Sequence, residues 1–127
     1  DWISALPALW KGLLYNEATL NKAWDMVKDW KHADVVELMR NVPKTALKTS
    51  FLEHNVQFYA EQMLKLSQEG LHNLNICDDK DRCEAQYLNP LFEVIETGET
   101  QADRWLRLYH TEWDQNVDPL FAEASHP

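Results

Sequence analysis

Two cysteines, five histidines and an aromatic run around a glycine are the residues of this 127-residue chain best suited to chemistry. Cys77 and Cys83 stand in a charged, polar segment, 75–85. Plain free thiols are the simplest reading of the pair, ahead of a small disulfide or half of a metal site. Zinc asks for four ligands, and only His72 is near enough in sequence to be a third. Asp78, Asp79 and Asp81 imitate an ion loop but lack the glycine and closing glutamate that calcium requires. His32, His54, His72, His110 and His126 are scattered. No pair has the spacing of a zinc-protease helix, no serine elbow accompanies them, and no glycine-rich phosphate loop is present. The sequence therefore assigns no catalytic residue and no metal ligand. More suggestive is the segment 7–15, where Trp10 and Tyr15 flank Gly12. Rigid rings with polar edges can wall a small-molecule pocket, although simple core filling is the plainer use of such residues. Lys48 and Arg40 can meet an anionic ligand or offset surface acidity.

The elements that must position these residues are helical. From 17 to 30, Leu20, Ala23, Trp24, Val27 and Trp30 recur every three or four residues behind Asn16, a good helix cap. A shorter helix is expected over 34–41, capped by Asp34 and ended by Val42-Pro43. Ser50 with Glu53 forms a capping box for a long helix reaching about Leu74, with Leu52, Val56, Tyr59, Ala60, Met63, Leu64 and Leu71 as its stripe. Asn89-Pro90 starts another helix that Gly98 closes. Thr100 with Asp103 starts a further one, lined by Ala102, Leu106, Tyr109 and Trp113. The tail, 117–127, has room for one or two turns. The lead-in, 1–16, has no helical period and contains Pro7 and Gly12, so an extended or turning path is expected there. The expected fold is mainly α: an irregular bundle of five or six helices, 17–127, behind an apolar non-helical lead-in. Trp24, Trp30 and Trp113 are expected to pack inside it.

Composition narrows the possible partners. Lys and Arg total 12 against 21 Asp and Glu, a net charge of -9. That balance repels nucleic-acid backbones and anionic membrane surfaces. No apolar run approaches the ~20 residues of a membrane-spanning helix. With 45% hydrophobic residues the chain can bury a core. Its opening, Asp1-Trp2-Ile3, looks like the middle of a folded element, and the chain is expected to be a piece of a larger one.

The run Leu6-Pro7-Ala8-Leu9-Trp10-Lys11-Gly12-Leu13-Leu14-Tyr15 resembles a signature near the end of the plant-type and proteobacterial glutamate–cysteine ligases. The likeness continues through Ala23-Trp24-Asp25-Met26-Val27-Lys28-Asp29-Trp30, Asn41-Val42-Pro43 and Leu47-Lys48-Thr49. It resumes at Leu64-Lys65-Leu66, Glu69-Gly70-Leu71, Tyr87-Leu88-Asn89 and Thr97-Gly98. It closes with Tyr109-His110-Thr111-Glu112-Trp113 and Val117-Asp118-Pro119-Leu120-Phe121. Order and spacing hold across nearly the whole chain.

The resemblance implies an enzyme that joins the side-chain carboxylate of L-glutamate to the amine of L-cysteine. That reaction is the first step of glutathione synthesis and uses ATP and Mg²⁺ through a γ-glutamyl phosphate. It implies a catalytic body like that of glutamine synthetase lying mostly upstream, with this chain as the helical C-terminal part. The fragment alone is expected to be inactive and to bind neither ATP nor Mg²⁺. Trp10 aligns with the family's signature Trp and is a candidate wall of the amino-acid pocket, with Tyr15 and Lys48 as further candidates. A cytoplasmic location is expected. The missing upstream part is the expected partner, and its absence would let the apolar lead-in self-associate. A free-standing helical interaction module and a related ligase with another acceptor are the alternatives. Departures from the pattern are also visible: relatives often carry Arg-Asp-Gly after the residue matching Phe51, where this chain has Leu52-Glu53-His54. Lys11 and Asn16 replace a small apolar residue and an Asp. The 77–83 loop looks like an insertion, so the redox disulfides of plant members do not transfer to it.

Overall fold

The computed structural model describes residues 2–79 and 82–124. Asp81 and His126, among the sequence candidates, lie outside the described residues. Seven α-helices occur among them: α1 (Trp2–Leu14), α2 (Glu17–Val27), α3 (His32–Thr45), α4 (Val56–Leu74), α5 (Asn89–Thr97), α6 (Gln101–Thr111) and α7 (Asp118–Ala124). Short 3-10 turns at Ala46–Lys48 and Glu84–Leu88, and a two-stranded hairpin of β1 (Ser50–Phe51) and β2 (His54–Asn55), connect them. The fold is a mainly α bundle, and no described helix is long and apolar enough to cross a membrane.

The lead-in is a helix, contrary to expectation. Periodicity is absent because α1 is apolar on every side, which hides the 3.6-residue signal. Pro7 sits just beyond the first turn and removes one ladder donor. Packing outweighs that loss. Ala5, Ala8 and Gly12 form a small-residue stripe, with Leu13 beside it, on the inward side of α1. Gly12 is there to admit another helix: a Cβ on it would collide with the Ser67 backbone of α4, and a Cβ on Gly70 would collide with the Gly12 carbonyl. The two helices thus meet backbone to backbone.

Hydroxyls lock this crossing. Ser67 Oγ, fully buried, donates to the Leu9 carbonyl at 2.9 Å. Thr19, at the start of α2 and equally buried, places Oγ1 2.9 Å from the Gly12 carbonyl and 3.0 Å from that of Asn16. Buried polar groups are stable when satisfied in this way. Around the crossing, Ala8, Leu64, Leu71, Ala85, Leu88 and Ile95 form the core, so α4 is central and α1, α5 and the Glu84–Leu88 turn close on it.

Other boundaries moved for local reasons. α3 starts two residues early because the Asp34 carboxylate reaches back to the Lys31 N–H (3.1 Å) instead of capping forward. It also runs through Pro43, which removes the N–H that would bond the Met39 carbonyl, and stops at Ala46 with φ 46°. Ser50 does not cap α4. It enters the hairpin, and Asn55 is the cap, its side chain accepting from the Phe58 N–H at 2.9 Å. Leu52, expected in the stripe, sits exposed at the hairpin tip with φ 50°. Trp24, expected to pack, is 62% exposed, because α2 is rotated to bury Thr19. In α6, Leu108 is buried and Leu106 exposed, so that helix too is turned from its expected face. Trp30 does pack, edge-on to Phe51 and Tyr59 with centroids 4.7 and 5.5 Å away. α5 starts at Asn89-Pro90 and ends at Gly98 (φ 64°) as expected, although Leu88, without a side-chain bond, holds the cap position in place of Asn89. Thr100 and Asp103 cap each other at the start of α6.

Candidate functional site

The cysteines are neither free nor metal ligands. α4 ends at Asn75 in the left-handed conformation, which turns the chain back so that 76–77 runs antiparallel to 83–84. That turn brings Cys77 and Cys83 together as a disulfide. Arg82 stays beside Asp78, its Nε 2.7 Å from the carboxylate, and this raises the guanidinium's pKa further. The loop delivers Glu84 to Lys11 of α1, whose Nζ lies 2.7 and 2.6 Å from the two carboxylate oxygens. The lysine that departs from the signature pattern therefore ties α1 to the Glu84–Leu88 turn. Among the described residues no three His, Cys, Asp or Glu side chains come together as a metal site.

Trp10 projects from α1 on the side away from α4 and is 54% exposed. Tyr15 follows the end of α1, its N–H bonded to the Lys11 carbonyl at 3.0 Å and its side chain well exposed. Lys48 ends the Ala46–Lys48 turn and lines an open cleft of about 630 Å³ with Gln57, Thr97, Gly98, Glu99 and Asp103. Trp10 and Tyr15 lie outside that cleft, so the three candidates do not share it.

The cleft is polar, and its acids are already engaged. Hydrogen bonds from the Thr100 hydroxyl (2.6 Å) and backbone N–H (3.0 Å) hold the Asp103 carboxyl below its ordinary pKa, with Lys48 adding a smaller pull. The Arg107 guanidinium does the same for Glu99, with Nε 2.8 Å from the carboxylate. Gln57 Nε2 donates to the Ile95 carbonyl at 2.6 Å. Carboxylates held ionised, beside one ammonium, suit charge recognition and not proton transfer.

The residues that sequence reasoning missed are structural: Thr19, Ser67 and the Gly12–Gly70 contact; the disulfide it ranks behind free thiols. Only the four-residue spacing of Ala8 and Gly12, set against Ser67 and Gly70 three apart, could have signalled a close helix crossing. Trp105 was also passed over. Its indole Nε1 is buried without a hydrogen-bond partner among the described residues.

The described residues form a mainly α-helical bundle with a polar cleft at Lys48. Residues 2–123 match glutamate–cysteine ligase family 2, and the chain belongs to that family. It is 41% identical over 122 residues to the chloroplastic glutamate–cysteine ligase of Solanum lycopersicum, covering 95% of this chain and 22% of the relative. The Arabidopsis thaliana chloroplastic glutamate–cysteine ligase is 40% identical over 121 residues, with the same shares covered. Chloroplastic glutamate–cysteine ligase A of Oryza sativa subsp. indica is 41% identical over 121 residues, which cover 95% of this chain and 23% of the relative. The chain thus spans about a fifth of the length of these relatives. All three relatives are chloroplastic by name, which overturns the cytoplasmic location expected from the sequence.

Proposed function

We propose that this chain is the C-terminal helical part of an ATP-dependent ligase that joins the γ-carboxylate of L-glutamate to the amine of L-cysteine. The observation that carries this reading is identity of about 40% along 95% of the chain to relatives named glutamate–cysteine ligase. A chloroplastic setting accompanies it, as in those relatives.

The described residues do not fit Mg²⁺–ATP. No three carboxylate or imidazole donors converge, and the Lys48 cleft offers one ammonium beside carboxylates engaged elsewhere. Phosphoryl transfer needs a metal bridging the phosphates and cations facing the developing charge. In this reading both belong to the portion of the ligase, glutamine-synthetase-like in fold, that the chain does not span. Here the helices brace that portion, and Trp10, with Tyr15 and Lys48 as weaker candidates, contributes to the amino-acid pocket.

The test is phosphate release from ATP that requires both glutamate and cysteine. It is measured on the longest polypeptide of the reading frame and on the 127-residue chain. Activity is expected in the first and none above background in the second. Turnover by the short chain would overturn the division of labour. A long polypeptide that accepts a different amine would move it to another ligase, and a reading frame that starts immediately before these residues would favour a helical interaction module. In the active polypeptide, Trp10→Ala is expected to raise the KM for one amino acid while sparing that for ATP.

A further inference from the structure

The outward face of α1 is apolar and exposed. At about 100° per residue, Ile3, Leu6, Trp10 and Leu14 fall within roughly 80° of the helix circumference, opposite Ala5, Ala8 and Gly12. Each of the four is at least half exposed. Lys11 is the only charged residue in Trp2–Leu14, and it sits at the flank, neutralised by Glu84. A helix that is apolar all round belongs in the interior of a larger body or in a membrane. With 13 residues, α1 is about 20 Å long, short of the ~30 Å hydrocarbon layer.

We infer that the Ile3–Leu6–Trp10–Leu14 face is the seat of another segment of the same polypeptide, in the part of the ligase beyond these 127 residues. This rests on the reading of the chain as part of a longer ligase. Two observations select that occupant. The relatives carry more than three-quarters of their length outside the matched region, ample to cover one helix face, and the family match runs through α1 itself. A second copy is the poorer fit, because each copy brings a charge of -9 to the contact. The occupant should present an apolar surface, since α1 offers it no charge to pair. Trp10 would then be at once a core contact and the residue nearest any pocket at that boundary.

Hydroxyl-radical footprinting of the longest polypeptide of the reading frame tests this, with labelling of Trp10 read against Trp24. The two are 54% and 62% exposed here, so an uncovered α1 face gives comparable labelling. The expected result is labelling of Trp10 at least fivefold below Trp24, independent of protein concentration. Equal labelling overturns the inference. Protection that grows with concentration assigns the face to a second copy, and protection only with added phosphatidylcholine vesicles assigns it to lipid; either result overturns it. Ligase activity is measured on the same sample. An active polypeptide with Trp10 labelled sinks the seat alone, and an inactive one with Trp10 protected sinks the ligase reading alone.

Discussion

The α1–α4 crossing and the α6–α7 arm are both helical and both rich in aromatic residues, yet they are held by different means. At the crossing two backbones touch through Gly12 and Gly70, and the Ser67 and Thr19 hydroxyls bond the carbonyls of the neighbouring segment. In the arm, stability is local. Thr100 and Asp103 cap α6, Arg107 reaches back to Glu99, and Arg104 pairs with Glu123 of α7. None of the main interhelix packings among the described residues involves α6 or α7, and Leu106, Val117 and Phe121 stay exposed. Buried contact makes a cooperative unit, whereas caps and surface ion pairs leave a segment free to open by itself.

The largest expected effect attacks the crossing. Gly12→Leu places a side chain against the α4 backbone, an overpacking of at least about 3 kcal/mol. Thermal denaturation should show a single transition lowered by roughly 10 °C or more. If only part of the helix signal shifts, the crossing is not the cooperative unit described here. Next is the disulfide. Replacing Cys77 and Cys83 by Ser opens the turn that carries Glu84 to Lys11, and about 2 kcal/mol should be lost, readable by urea titration.

The arm should respond more weakly and by itself. Thr100→Ala removes the cap of α6 at a cost of about 1 kcal/mol. Amide exchange should quicken across Gln101–Thr111 and remain unchanged in α1 and α4. The pH dependence has a definite sign. The folded Asp103 carboxyl is held below its unfolded pKa of about 3.9, so its contribution is complete above that pH. It is lost as pH falls through the lower folded value. Exchange in α6 should therefore accelerate below about pH 4, and Asp103→Asn should abolish that acid step. Smallest is Arg104→Ala, which breaks the exposed pair with Glu123 for about 0.5 kcal/mol or less and should matter less still in high salt.

Legibility in the sequence followed the same division. The arm and its neighbour α5 were readable because their signals are local: Asn89-Pro90, Gly98 and the Thr100–Asp103 box are written in adjacent residues. The crossing was not, because its cause lies some 60 residues away in sequence. Gly12 and Pro7 look like breakers until Ser67 and Gly70 are set against them. Thr19 reads as a surface threonine until the Gly12 carbonyl is placed beside its hydroxyl. Ser50–Glu53 is a sound capping box on paper, but Phe51 buries itself among Trp30 and Tyr59, and the chain folds a hairpin to let it do so. Of the candidate site, the signature run led to Trp10 and Tyr15. What faces Trp10 is not written in these residues, and the environment of Lys48 comes from α4, α5 and α6 together.

The reciprocal glycines also constrain how this sequence can drift. A side chain on Gly12 would run into the Ser67 main chain and one on Gly70 into the Gly12 carbonyl, so enlarging either one meets main chain, which no nearby substitution can trim. Exchange at Gly12 cannot be rescued by shrinking a neighbour, since the nearest obstacle is the Ser67 carbonyl, which every residue carries. A larger residue at either place requires the helices to move apart, and with them the hydroxyl bonds of Ser67 and Thr19. The pair is an evolutionary dead end in every direction but its own, and descendants of this chain should change almost anywhere else first.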